Sequence, residues 1–199
     1  MKKPILFVDF DGTICMDKYG GGLTDVEREK VQNVLLSTDR TKMNDWLRGK
    51  YTAEEINKYI SEQTKIGYEY LWSVFVTDCK NMKVSKSVLE TLNSLREKYI
   101  VILMTGNTDS FARFTAPSLN LEKYFDLISN SYYEQKHKLD DGGSLFLKYT
   151  EKYEVDINSC FLLDDNLKVC EVFKNLGGSV MCVTKEKPVE FYLEWLTGS

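Results

Sequence analysis

The stretch Ile5-Leu6-Phe7-Val8-Asp9-Phe10-Asp11-Gly12-Thr13 constrains this chain more than any other. Four apolar residues in a row, two of them β-branched, read as a short strand buried on both faces. Two carboxylates one residue apart stand where that strand ends, and the Gly and Thr that follow suit a turn. In an extended chain, residues i and i+2 point the same way. Asp9 and Asp11 therefore crowd together at the carboxyl end of a buried strand, where open α/β sheets place their ligands. Two close carboxylates resist ionising together. A hard divalent cation such as Mg²⁺ removes the conflict, because it takes oxygen ligands and keeps several waters. A surface Asp-rich turn is the bland alternative for a bare Asp-x-Asp. A calcium loop is not, because its Gly follows three acidic positions, whereas Gly12 directly follows the second acid.

The whole string Asp9-Phe10-Asp11-Gly12-Thr13, close to the N-terminus, resembles the first motif of the haloacid dehalogenase-like (HAD) hydrolase superfamily. The resemblance implies three further motifs in fixed order. Ile100-Val101-Ile102-Leu103-Met104-Thr105-Gly106-Asn107 resembles the second, an apolar strand ending in a hydroxyl. A hydroxyl and free N–H groups at a strand end suit phosphate oxygens. The third motif is a Lys beyond the Phe125-Asp126 pair, which lands on Lys138, with Lys136 as the fallback and Lys148 within a helical pattern. A Pro follows this Lys in many relatives, whereas Leu139 follows here. Cys160-Phe161-Leu162-Leu163-Asp164-Asp165-Asn166 resembles the fourth, again a strand ending in two acids. Repulsion among four clustered carboxylates is hard to explain structurally without a metal. His137, the only histidine, is read as a surface residue.

Composition sets outer limits. The 199 residues suffice for one well-buried domain with a smaller insert. A net charge of −4 argues against nucleic acid as a bulk partner. The five cysteines are odd in number and form no Cys-x-x-Cys, which suits reduced core thiols in a cytoplasmic protein. No apolar run is long enough to span a bilayer, and the first strand starts too early for a signal peptide.

Between the first two motifs the pattern is helical. Gly20-Gly21-Gly22 gives a flexible joint. Thr24-Asp25-Val26-Glu27 and Thr52-Ala53-Glu54-Glu55 are capping boxes that open helices, and a third pattern runs through Tyr68, Leu71, Trp72 and Phe75. Later helices are expected from Ser85 to Lys98, over 109 to 120 with Pro117 ending or kinking it, over 143 to 153, after Asn166, and from Pro188 to Leu196. Strands are expected near Ile128 and at Val180-Met181-Cys182-Val183.

The resemblance covers the whole chain. It implies a three-layer α/β sandwich with a parallel five-stranded sheet, residues 1–17 and 84–199, and an all-helical cap domain over 18–83. The β–α alternation agrees independently. It further implies a Mg²⁺-dependent phosphatase acting on a small phosphorylated metabolite. Asp9 is then the nucleophile, and Asp11 the acid and base. Mg²⁺ lies on Asp9, the carbonyl of Asp11, Asp165 and, through water, Asp164. Thr105 and Lys138 hold the transferring oxygens, with Gly12, Thr13, Gly106 and Asn107 lining the phosphate site. Family dehalogenases lack an acid at the position of Asp11. A sugar phosphomutase and a phospholigand-binding protein with little turnover are the alternatives. Arg40, Lys42 and Arg48 are the cap cations in reach of a second anionic group, although solvated surface is the default reading for each.

Overall fold

The computed structural model describes residues 2–36 and 40–198. Five parallel strands form one sheet: β1 (Ile5–Val8), β2 (Ile100–Thr105), β3 (Leu127–Asn130), β4 (Phe161–Asp164) and β5 (Ser179–Cys182), in the spatial order β3-β2-β1-β4-β5. Central β1 pairs Phe7 with Ile102 on one side and with Leu162 on the other. From β1 the sheet is wound outward in both directions, so a crevice opens at its carboxyl end.

Alternation along β1 divides the core. Leu6 and Val8 pack with Val101 and Leu103 against α5 (Lys86–Leu95) and the C-terminal helix Val189–Gly198. Ile5 and Phe7 pack on the opposite face against helices Ser144–Tyr153 and Leu167–Asn175. There Phe7, Phe146 and Phe173 meet edge-on, at 5.2, 5.7 and 4.8 Å between ring centres, the geometry the ring quadrupole favours. Helix, sheet and helix make the three layers expected.

Residues between β1 and α5 hold the helices α1 (Asp25–Leu35), α2 (Thr41–Trp46), α3 (Ala53–Thr64) and α4 (Tyr68–Lys80) and no strand among the described residues. Both predicted capping boxes form: Thr24 with Glu27 and Thr52 with Glu55. This region has an apolar cluster of its own, built on Leu23, Trp46, Ile56, Ile60 and Leu71. The helix expected over 109–120 survives Pro117 by widening. Phe111–Thr115 forms a π turn in which Ala116 N–H reaches back to Phe111 O. The wider turn makes room for a ring that otherwise clashes with the preceding carbonyls.

Candidate active site

Asp9 follows β1 directly and keeps its backbone in the sheet, donating N–H to Leu163 O at 2.9 Å. Phe10 O then accepts from Ile14 and Cys15 N–H, which closes a tight turn and presents Asp11 at its start. The carboxyl ends of β2 and β4 flank this turn, and the loop before helix Ser144–Tyr153 brings in Lys138. The result is a cleft of about 240 Å³ lined by Asp9, Asp11, Gly106, His137, Lys138 and Asp165 among others.

Lys138 is almost fully buried, and its Nζ lies 2.8 Å from Asp9 Oδ1 and 2.6 Å from Asp164 Oδ2. Asp9, Asp164 and Asp165 each offer an oxygen within 4.8 Å of the other two. Burial pushes the Asp9 carboxyl up to about 7 against the pull of Lys138, and Asp164 and Asp11 push the same way. Burial likewise lifts Asp11 to about 6. Burial opposes the charge on Lys138, but Asp9 and Asp164 outweigh it and raise its pKa, so the ammonium stays charged. This cluster carries more carboxylates than cations. Three oxygen donors beside an unneutralised charge fit a hard divalent cation.

The hydroxyl side of the site is built from β2. Thr105 is buried, and Asn107 Nδ2 donates to Asp11 Oδ2 at 2.7 Å and toward Thr105 Oγ1 at 3.4 Å. Asn107 thus holds one oxygen of Asp11, and the other has no hydrogen-bond partner among the described residues. The N–H groups of Asp11, Gly106 and Asn107 have no hydrogen-bond partner among the described residues.

Three expectations are corrected. Thr13 does not face a phosphate: it is sealed, and its Oγ1 accepts from Asp165 N–H at 3.1 Å. Gly12 spends its N–H on Cys15 O, and its role is clearance. Its φ is +76°, and an added Cβ would stand 2.3 Å from Asp165 Oδ2. Both residues therefore position Asp165. His137 is not a surface residue either. It is half-buried in the cleft wall, where a Cβ on Gly106 would meet its Nε2 at 2.5 Å. Burial, then the charges of Lys138 and Arg48, lower its pKa. Its place beside Lys138 in one turn was the available signal.

The alternative lysines are engaged elsewhere: Lys136 with Asp141 at 2.9 Å, and Lys148 with Glu134. Of the expected cap cations, Arg48 forms a two-pronged pair with Asp140 at 3.1 and 2.8 Å. Lys42 lies over the rings of Tyr51 and Tyr59, at 4.3 and 4.4 Å. Arg40 is exposed. Sequence reasoning missed Asp109, which accepts from Trp46 Nε1 at 2.8 Å and Ala53 N–H at 3.2 Å and so ties the helical region to the sheet region.

A parallel sheet of this order, with paired acids on two adjacent strand ends and a lysine between them, defines a class of α/β hydrolases. The family model for haloacid dehalogenase-like hydrolases matches residues 4–177, and the chain belongs to that family. No curated protein matches it in sequence. Among solved structures, a HAD family enzyme from Bacteroides thetaiotaomicron is 20% identical, with a TM-score of 0.74 over 92% of this chain and 95% of that one. The same enzyme in complex with magnesium and inorganic phosphate gives 0.69 at 20% identity, over 92% and 94%. A 2-haloacid dehalogenase from Pseudomonas syringae pv. Tomato DC3000 gives 0.57 at 13% identity, over 91% and 86%. At these identities the likeness shows a shared fold.

Proposed function

We propose that this hydrolase is a Mg²⁺-dependent phosphatase that cleaves a small phosphomonoester through an aspartyl-phosphate. The observation that carries the reading is the second acid: Asp11 stands beside Asp9 with one oxygen held by Asn107 and its pKa lifted to about 6. A group poised near neutrality can both give and take a proton.

Lys138 holds Asp9 Oδ1, which leaves Oδ2 as the attacking oxygen. That oxygen forms the new O–P bond as the ester P–O bond breaks, and Asp11 delivers its proton to the departing alkoxide. A water then attacks phosphorus, Asp11 takes its proton, and inorganic phosphate leaves with Asp9 restored. Thr105 Oγ1, Lys138 and the unpartnered N–H groups of Gly106 and Asn107 hold the phosphoryl oxygens. Positioning and charge neutralisation supply most of the catalysis in phosphoryl transfer. Asp9, Asp164 and Asp165 are the residues to hold Mg²⁺, with the carbonyl of Asp11, which accepts no hydrogen bond from the described residues. When bound, the ion would neutralise the charge on the phosphoryl group. That the similar Bacteroides enzyme forms a complex with magnesium and inorganic phosphate supports the choice of Mg²⁺ as the ion. Residues 18–83 act as a cap domain over the core of 1–17 and 84–199, consistent with their separate apolar cluster.

The test is a paired assay of phosphate release from 4-nitrophenyl phosphate and halide release from 2-chloropropionate, each with Mg²⁺ and with EDTA. Phosphate release that EDTA abolishes is the expected result. Halide release without phosphate release would overturn the reading.

A further inference from the structure

The polar cleft has an apolar neighbour. A second cavity, of about 250 Å³, lies between the helical region and the carboxyl end of β2. The two spaces share Asp11 and Gly106 in their walls. The residue placed to protonate a leaving oxygen thus stands on the border between a charged space and an apolar one.

The wall of this second cavity is built from Leu23, Val31, Ile60, Leu71, Val74 and Phe75. Besides Asp11, two charged residues touch it, Arg28 and Asp78, and the loop that closes it engages both. Arg28 donates to Gly20 O at 2.9 Å, Leu23 O at 3.1 Å and Asp25 at 3.1 Å. Asp78 accepts from Gly20 N–H at 2.9 Å and Gly22 N–H at 3.4 Å. Neither Lys42 nor Arg48 lines the space. Of the buried polar side chains in its wall, Asn107 donates to Asp11 Oδ2 at 2.7 Å and accepts from Thr108 N–H at 3.1 Å, and the Thr108 and Ser110 hydroxyls bond each other at 2.7 Å. Asn57, 3% exposed, gives Nδ2 to Ala53 O at 2.8 Å. Its Oδ1 has no partner among the described residues and opens to the cavity.

We infer that the group esterified to phosphate in the substrate is uncharged and chiefly apolar, of about one ring or a branched chain, with at most one hydrogen-bond donor, which Asn57 Oδ1 accepts. The inference rests on the phosphatase reading and names the substrate class of that site. The size follows from volume, since an apolar cavity of about 150 Å³ takes one benzene ring. The chemistry follows from the walls. A sugar ring would leave several hydroxyls without partners, and each unpaired buried hydroxyl is costly. A second phosphate or carboxylate would find no cation that is not already engaged. An apolar group loses nothing there and fills a void that would otherwise weaken packing.

The experiment compares cyclohexylmethyl phosphate with glucose 6-phosphate, two rings of equal size on the same kind of primary alkoxide. It also measures binding of cyclohexylmethanol by calorimetry. The wild-type protein with Mg²⁺ should prefer the cyclohexylmethyl ester by about 100-fold or more in kcat/KM. Ile60→Trp, which fills the cavity, should cut kcat/KM for that ester about tenfold, mainly through KM. Where Ile60→Trp does not fold, Val74→Phe narrows the same space from a half-buried position. Equal or better turnover of glucose 6-phosphate overturns the inference and leaves the phosphatase reading intact. A preference unmoved by either variant also overturns it. If neither ester releases phosphate, cyclohexylmethanol decides. Binding by the wild type that is lost in the variant keeps the apolar site and removes the phosphatase reading, whereas no binding removes both.

Discussion

In the sheet region every residue of β1 is sealed, and the seal continues through Asp9 and Phe10. In the helical region α1 runs for eleven residues and buries none of them fully. The first region holds its acids on strand ends, where backbone pairing over-determines each position. The second leaves apolar space inside, and its ties to the sheet region are largely polar. Asp109 accepts from Trp46, Ala53 and Arg113, and Arg113 also pairs with Glu54 at 2.5 Å. Chemistry that needs positions held to a fraction of an ångström sits in the sealed part. Under the proposed function, selection among leaving groups would fall to the part that leaves apolar space inside.

The sharpest break of this contrast is Asp9→Asn. The amide keeps the shape and is a poor nucleophile, so we expect phosphate release to fall on the order of 10³-fold or more, measured by single-turnover kinetics. An Asp9→Asn enzyme within tenfold of wild type would remove Asp9 from the chemistry.

Lys138→Met comes next, because it strikes both catalysis and stability. It leaves Asp9 and Asp164 buried without their cation, a loss of about 3 kcal/mol by the usual cost of breaking a buried pair. The loss should shrink at pH 5, where Asp9, lifted to about 7 even with Lys138 beside it, is protonated. Lys148→Ala, an exposed pair with Glu134, should cost no more than about 1 kcal/mol. Urea melts of both variants at pH 5 and 8 check the contrast, and equal losses would mean that burial of Lys138 is not decisive.

The same titration governs the metal. Mg²⁺ needs ionised ligands, so its apparent affinity should climb as pH rises from about 5 to 7.5, by up to about tenfold per unit near the Asp9 pKa. Calorimetric titration at several pH values reads this, and a flat profile would sink the assignment of Asp9 as a ligand.

In the helical region, Asp109→Ala removes the acceptor of Trp46, Ala53 and Arg113. KM should rise about three- to tenfold while kcat changes less, since the variant loosens binding without touching the reacting atoms. A kcat loss as large as that of Lys138→Met would erase the division of labour between the regions.

The smallest effect is on stability without metal. The folded Asp9 pKa of about 7 lies above its ordinary 3.8, so ionisation is disfavoured in the fold. The stability tied to its neutral form is full below 3.8 and is lost as pH rises through 7. Asp9→Asn removes that loss. In EDTA at pH 8 the variant should be more stable than the parent by about 1 kcal/mol, and the difference should shrink steadily as pH falls from 7 towards 4. A less stable variant at pH 8 would mean that the Lys138 contact outweighs the repulsion.

The amino-acid order alone determined the strands, because runs such as Ile5–Val8 and Ile100–Thr105 have no other stable place than between two layers. It determined the helix starts at Thr24 and Thr52, since a capping box is complete within four residues. It also marked Asp9, Asp11, Asp164 and Asp165 as strand-end acids, a matter of period two and position. Tertiary structure decided what lies opposite each group. Thr13 and Gly12 serve Asp165, which is far away in sequence. His137 sits in the cleft wall because Gly106 leaves it room. Lys42 and Arg48 are each taken up by partners that no local pattern announces. Periodicity reports which face of an element is apolar. It does not report which polar atom meets it across a gap, or how much space two packed faces leave between them.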